Sequence, residues 1–184
     1  MVANGDDPHT VKAMEGIDFV SFGLGEGNRI HAANMCPDWR HFDVLCDGEF
    51  YCHLDMGVLG RHNAMNALAA AAAAWMMGIP GETVSRGLQA FHGAGRRMEF
   101  KGTYNGADVY DDYAHHPGEL KALLDAIETL GYKRTIVVFQ PHTYSRTQAL
   151  FSDFVAQLRR PDVCYLAEIY AAREKNTIGI SSAS

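Results

Sequence analysis

The chain has 184 residues, 47% hydrophobic and 21% charged, the composition of a soluble globular protein with room for one ordinary domain or two small ones. Its formal net charge of −6 argues against nucleic acid as a partner, since such binders normally present a basic face. The opening "MVANGDDPHTVK" has no apolar core of the signal-peptide kind, and the longest uncharged apolar run, Ala67 to Ile79, is too short to span a bilayer; a cytoplasmic protein with no membrane partner is expected.

In chain order, the first sixty residues read as short strands. "DFVSFG" and "RIHAANM" come first, then "FDVLCDGEFYCHLDM", in which Asp47-Gly48 is a hairpin turn signal. The period then changes. Asn63 to Met77 predicts an alanine-rich helix packed very closely on a sheet, ended by Gly78 with Pro80 beyond. A second helix is expected over Glu82–Phe91, followed by "HGAGRRMEF", which has the glycines and charges of a hinge between domains. Cys36, Cys46, Cys52 and Cys164 form no C-x-x-C pair and no metal spacing. A Cys46–Cys52 disulfide is open, with buried free thiols favoured in a reducing compartment.

Beyond the hinge, "MEFKGTY" and "ADVYDD" predict another hairpin, turning at Asn105-Gly106. A helix over Gly118–Leu130 starts behind Pro117, a residue suited to a first helical turn. Strand "TIVVFQ" is nearly all apolar, as a strand buried on both faces should be. A helix over Gln148–Arg159 and strand "VCYLAE" complete a β-α-β-α-β series, which implies a parallel sheet. In such sheets ligands bind beyond the carboxyl ends of the strands. Here three successive strands end in "DDYAHHP", "QPHTYSRT" and "EIYAAREK", so His115, His142, Arg146 and Arg173 are expected along one edge.

The planar donors of arginine suit carboxylate or phosphate. Asp and His would also suit zinc or manganese, but adjacent His115 and His116 diverge unless the loop bends sharply, and no H-x-x-x-H spacing is present. In "GRHNAMNALAA", Asn63 fits a plain helix cap, whereas amides at Asn63 and Asn66 share one helix face and could read the edge of a base such as adenine. His62 alone is an ordinary loop histidine, and Arg96 with Arg97 fits either a solvated hinge pair or anion ligands.

Taken in order, "GRHNAMNALAA", "GRRMEF" and "DDYAHHP" resemble the Mur ligases, the ATP-dependent amino-acid ligases of peptidoglycan synthesis; "ANGDDP", "FQPHTYSRT" and "EIYAAREK" extend the resemblance over nearly the whole chain. The last two segments point to the member whose substrates are UDP-N-acetylmuramate and L-alanine. The resemblance implies an α/β chain: residues 1–94 as the end of the central ATPase domain (strands plus two helices), and 95–184 as the first part of a Rossmann-like C-terminal domain with a parallel sheet. It implies ATP with Mg2+, an acyl-phosphate intermediate and attack by the alanine amine. By resemblance, His62, Asn63 and Asn66 lie at the adenine, Arg97 at the terminal phosphate and Asp112 at the ribose. Tyr113, His115, His142 and Arg146 would face the amino acid and the muramyl carboxylate, with Arg97, His115, His142 and Arg146 as the catalytic set.

The sequence departs from the family pattern in holding no Walker A loop, G-x-x-x-x-G-K-[ST]; "FGLGEGNR" has no Lys-Ser/Thr behind it and reads as a turn between strands. The expectation is therefore an internal stretch of a ligase, inactive alone and with some tendency to self-associate. Its metal ligands are expected in the missing part of the ATPase domain. A non-catalytic nucleotide- or partner-binding remnant and a metal-dependent hydrolase using Asp112, His115 and His142 are the competing readings.

Overall fold

A computed structural model describes all 184 residues and divides the chain into two compact units, Met1–Gly93 and Ala94–Ser184.

The first unit is built on a five-stranded mixed sheet. Its strands are β1 (Val2–Asn4), β2 (Val20–Gly23), β3 (Ile30–Ala33), β4 (His41–Cys46) and β5 (Glu49–Asp55), in that spatial order. The β1–β2 and β2–β3 pairs are parallel, while β3–β4 and β4–β5 are antiparallel. The β4–β5 hairpin turns at Asp47 and Gly48, both at positive φ (50° and 84°), the pattern that matches the twist of the flanking strands. Along β4 the side chains alternate, so that Phe42, Val44 and Cys46 enter the core.

Onto that face packs α2 (Arg61–Met76), burying Ala64, Ala67, Leu68, Ala71, Ala72 and Ala74. Small side chains let the helix backbone approach the sheet, as the alanine run predicts. Gly78, at φ 69°, closes the helix, with Ile79 N–H donating to the Ala74 carbonyl. Helix α3 (Gly81–Gln89) adds Val84 to the core and is tied to β5 by the Ser85 hydroxyl, which donates to the His53 carbonyl at 2.7 Å. All four cysteines are free thiols, as favoured above. Burial pushes Cys46 up to about 12 and Cys52 up to about 11, which keeps both as inert thiols.

Two elements of this unit go beyond the strands read from the sequence: β1, and helix α1 (Pro8–Ala13), capped by Asp7. They enclose a cross-link. The Asp6 carboxylate accepts from Leu24 N–H (2.6 Å), Gly25 N–H (3.2 Å) and the buried Asn28 amide (2.7 Å). That bracing lets residues 24–29 connect two parallel strands over an unusually short path. A Cβ at Gly23 would lie 2.4 Å from Asn28 Nδ2, so only glycine fits there. "FGLGEGNR" is thus a braced turn between strands.

The second unit opens with a hairpin of β6 (Glu99–Tyr104) and β7 (Ala107–Asp111), turning at Asn105-Gly106. Helix α4 (Pro117–Thr129) follows, then β8 (Ile136–Phe139), α5 (Tyr144–Ala149), α6 (Phe151–Leu158) and β9 (Val163–Leu166). The β8–β9 pair is parallel in register, Ile136 opposite Val163. Strand β7 pairs with β6 and makes no ladder with β8, so the parallel sheet holds two of the three strands expected in it. The single helix expected from Gln148 begins earlier, at Tyr144, and is interrupted at Leu150 (φ −115°, ψ 23°). Leu120, Phe139 and Phe154 form the core, flanked by Ala114, Val137, Leu150 and Leu158. Strand β8 is covered on one face only: Val138 is 77% exposed, against the expectation of burial on both faces. No helix in the chain is long and apolar enough to cross a membrane.

Candidate functional site

In the first unit the relevant residues occupy the first two turns of α2. Gly60, at φ 96°, is the residue before the helix, so Asn63 lies inside it and is not its cap. Asn63 Nδ2 instead donates to the Leu59 carbonyl at 2.8 Å, and Asn66 Nδ2 reaches Asn63 Oδ1 at 3.4 Å. The two amides therefore share a face, with Asn66 exposed and Asn63 half-buried, beside an exposed His62. No carboxylate occupies the first turn.

The second unit assembles its residues from loops and the start of α5. Arg97 is bracketed by Arg96 (φ 57°) and Met98 (φ 47°), two side-chain-bearing residues in the left-handed region. Three bonds hold that turn. Arg96 N–H donates to Glu99 Oε2 (2.8 Å), the Arg96 carbonyl accepts from Tyr113 N–H (2.8 Å), and Met98 N–H donates to Asp112 Oδ2 (2.7 Å). Asp112 Oδ1 accepts from Ala114 N–H, so each oxygen of this carboxylate already serves a backbone amide. The Arg96 guanidinium lies 4.8 Å over the Tyr113 ring.

Glu119, which the sequence analysis gave no role, is the hub of "DDYAHHPGE". Its Oε2 accepts from the backbone N–H groups of His115 (2.9 Å) and His116 (3.2 Å), and its Oε1 lies 3.5 Å from Arg97 Nη1. Burial pushes its carboxyl up, but the His115 amide, the His115 ring and Arg97 outweigh that and hold it below the ordinary carboxylate range. His116 serves as the N-cap of α4 in a reciprocal capping box with Glu119. The two adjacent histidines thus part, and only His115 joins the cluster.

The ends of β7 and β8 and the segment after β9 do meet. The His115 ring lies 5.2 Å from Tyr113 and 6.2 Å from His142, and His142 lies 5.4 Å from Tyr170. His142 and Tyr170 form an isolated parallel bridge, with Thr143 N–H donating to the Tyr170 carbonyl. Ser145 donates both its N–H (2.9 Å) and its hydroxyl (2.5 Å) to Glu174, which lowers the Glu174 pKa. His142 Nδ1 and Arg146 Nη1 are buried without a hydrogen-bond partner. Buried orphans are rare in folded chains, and these two suit an anionic or polar ligand. Arg173 is exposed. No group of three or more His, Cys, Asp or Glu side chains is arranged to hold a metal ion.

Comparison with known proteins follows the same division. The Mur ligase middle domain matches residues 1–74, and the Mur ligase glutamate ligase domain matches residues 96–180. Among curated relatives, the UDP-N-acetylmuramate–L-alanine ligases of Clostridium acetobutylicum and Clostridium novyi are 42% and 41% identical over 99% of this chain. The chain spans about two fifths of their length, 41% and 40% respectively. The crystal structure of the UDP-N-acetylmuramate–alanine ligase of Thermotoga maritima superposes with a TM-score of 0.73 at 28% identity, covering 92% of this chain and 37% of that one. With both successive domains matched in order and the fold shared with a solved ligase, the chain belongs to the Mur ligase family.

Proposed function

We propose that this chain supplies the adenine-side helix and the amino-acid side of an ATP-dependent ligase that joins L-alanine to UDP-N-acetylmuramate. The observation that carries this reading is the 41–42% identity, over 99% of the chain, with relatives bearing that name. In this reading residues 1–94 close the ATP-binding domain and 95–184 open the ligase domain. A cytoplasmic location goes with it.

The geometry agrees with the assigned roles. Asn63 and Asn66 present amides on one face of α2, which with His62 suits the edge of adenine. Asp112 has a remaining lone pair on each oxygen for a ribose hydroxyl, beyond its two backbone amides. Arg97 sits in a braced turn and takes the terminal phosphate. Tyr113, His115, His142 and Arg146 handle L-alanine and the muramyl carboxylate, where the Arg146 guanidinium, with a buried nitrogen lacking a partner, can neutralise charge developing on carboxyl oxygens. ATP would bring the phosphoryl group that activates the carboxylate. Mg2+ would accompany it, with ligands outside this stretch of the relatives' length. The chain's own work is positioning and charge neutralisation.

The test replaces the corresponding stretch of the Clostridium acetobutylicum relative with residues 1–184. Phosphate release is then followed with UDP-N-acetylmuramate, ATP and Mg2+, with and without L-alanine. Alanine-dependent release is expected from the hybrid. The 184-residue chain alone should give none, because its sequence has no loop of backbone amides and lysine to cradle phosphates. A folded hybrid that binds ATP but shows no response to L-alanine would overturn the proposal.

A further inference from the structure

We propose that Glu174 is a positioning residue: it clamps Thr143 in a backbone conformation normally left to glycine, and thereby fixes His142 and Arg146. The functional weight of this inference rests on reading those two residues as substrate-facing.

Thr143 has φ 66° and ψ 144°. A branched Cβ makes that region costly, and such residues persist only where their surroundings over-determine them. The Thr143 carbonyl accepts from the N–H (3.2 Å) and the hydroxyl (2.7 Å) of Thr147, but its own side chain does little to hold it. As N-cap of α5 its hydroxyl reaches Arg146 N–H only at 3.4 Å, a weak bond, and lies 3.5 Å from the Ser145 hydroxyl. The strong capping comes from elsewhere. The Glu174 carboxylate takes both the N–H and the hydroxyl of Ser145, at 2.9 and 2.5 Å, across 29 residues of sequence. A carboxylate satisfying amides at a helix start is favoured by charge as well as by hydrogen bonding.

The clamp has a second jaw. Thr143 N–H donates to the Tyr170 carbonyl and Tyr170 N–H to the Pro141 carbonyl, each at 2.9 Å. Between Tyr170 and Glu174 the strap itself passes through Ala172 at φ 52°. Thr143 and Ala172, both at positive φ, therefore belong to the two segments that these bonds join. The side chains that flank Thr143 explain why the clamp is needed. His142 Nδ1 and Arg146 Nη1 are buried without partners, so either side chain would gain by turning toward water. Fixing Thr143 fixes the backbone from which both side chains project, since His142 precedes it and Arg146 sits in the helical turn it starts.

The experiment uses the 184-residue chain without nucleotide or substrate. Amide hydrogen exchange at Thr143 and Ser145 and the NMR signals of the His142 ring and Arg146 Nε are recorded for native protein, Glu174→Ala, Glu174→Gln and Thr143→Gly. Glu174→Ala should speed exchange at both amides by about tenfold or more, the loss of a bond to a charged acceptor. It should also shift the His142 and Arg146 signals, while those of the β6–β7 hairpin stay put. Glu174→Gln should restore most of both, because its carbonyl accepts from Ser145 N–H and its amide can donate to the Ser145 hydroxyl. In the Thr143→Gly background, where the conformation carries no Cβ strain, Glu174→Ala should shift His142 and Arg146 less. Native exchange and native side-chain signals in Glu174→Ala overturn the proposal, as does an undiminished shift in the glycine background. If Glu174→Ala gives no dispersed spectrum, Ser145→Ala, which removes the hydroxyl contact alone, is read in its place against the same criteria. Because no substrate is present, this test can fail while the ligase reading stands, and alanine-dependent turnover can fail with the clamp intact.

Discussion

The two units solve the problem of holding polar side chains in opposite ways. In the first, fifteen buried residues form one continuous core, and the candidate amides ride on the first two turns of a regular sixteen-residue helix. In the second, only three residues make up the buried cluster, and the candidate side chains come from loops and, for Arg146, from the first turn of the short α5. Of the eight non-glycine residues at positive φ, Arg96, Met98, Thr143 and Ala172 bracket or clamp those loops. Three others, Asn34, Asp47 and Asn105, are of the types that visit this region most readily. The eighth, Trp39 (φ 63°), belongs to the first unit and carries none of its candidate side chains. Where a large core and a regular helix fix geometry, the candidate side chains need no strained turn of their own. Where the core is small, braced and strained turns take its place.

That contrast is broken most forcefully in the cores. Phe42→Ala, at a fully buried position, should destabilise the first unit by about 4–5 kcal/mol, read by tryptophan fluorescence in urea, since Trp39 and Trp75 both lie there. Phe154→Ala in the small cluster should cost less, about 3 kcal/mol, because open surroundings can collapse into the gap. Equal losses would show that core size does not separate the units. Next in size, Ala71→Leu should cost about 1–3 kcal/mol by overpacking the close helix–sheet contact.

The braced loops should answer to acid. Glu119 has a folded-state pKa below its ordinary 4.5, so its stabilising bonds are fully present above 4.5 and are lost as pH falls through the lower folded value. Hydrogen exchange at His115 and His116 should accelerate in that window, and Glu119→Gln should remove the pH dependence. Exchange that is flat in the native chain would remove Glu119 as the hub. The smallest effect belongs to Lys121→Ala. It deletes an exposed i,i+4 pair with Asp125 on α4 and should change stability by no more than about 0.5 kcal/mol.

Much of this was legible in the sequence wherever the physics is local. The two Asx-Gly hairpins, the alanine helix with its glycine stop, and the parallel β8–β9 pair follow from turn chemistry, periodicity and alternation. Helix α1 was hidden because it buries nothing and so shows no apolar period, although Asp7-Pro8 is a start signal. Helix α5 starts ahead of the position its sequence suggests because its cap, Thr143, sits in a polar stretch with no apolar period. At the site, His115, His142 and their neighbours were visible as clusters at strand ends. Glu119 was less so, since a capping box led by histidine departs from the usual Ser/Thr pattern. Glu174 could not be linked to Ser145 at all: that bond is set by tertiary packing.

The central claim is that the helical amides of the first unit serve the nucleotide, whereas the clamped loops of the second serve the amino acid and its acceptor. Steady-state kinetics of the hybrid enzyme described above, carrying Asn66→Ala or Arg146→Ala, tests it most directly. Asn66→Ala should raise the KM for ATP with the KM for L-alanine nearly unchanged. Arg146→Ala should do the reverse, raising the KM for L-alanine or UDP-N-acetylmuramate and sparing ATP. If Arg146→Ala instead lost ATP affinity with its alanine KM intact, or both variants gave one pattern, the division of labour between the two regions would be wrong.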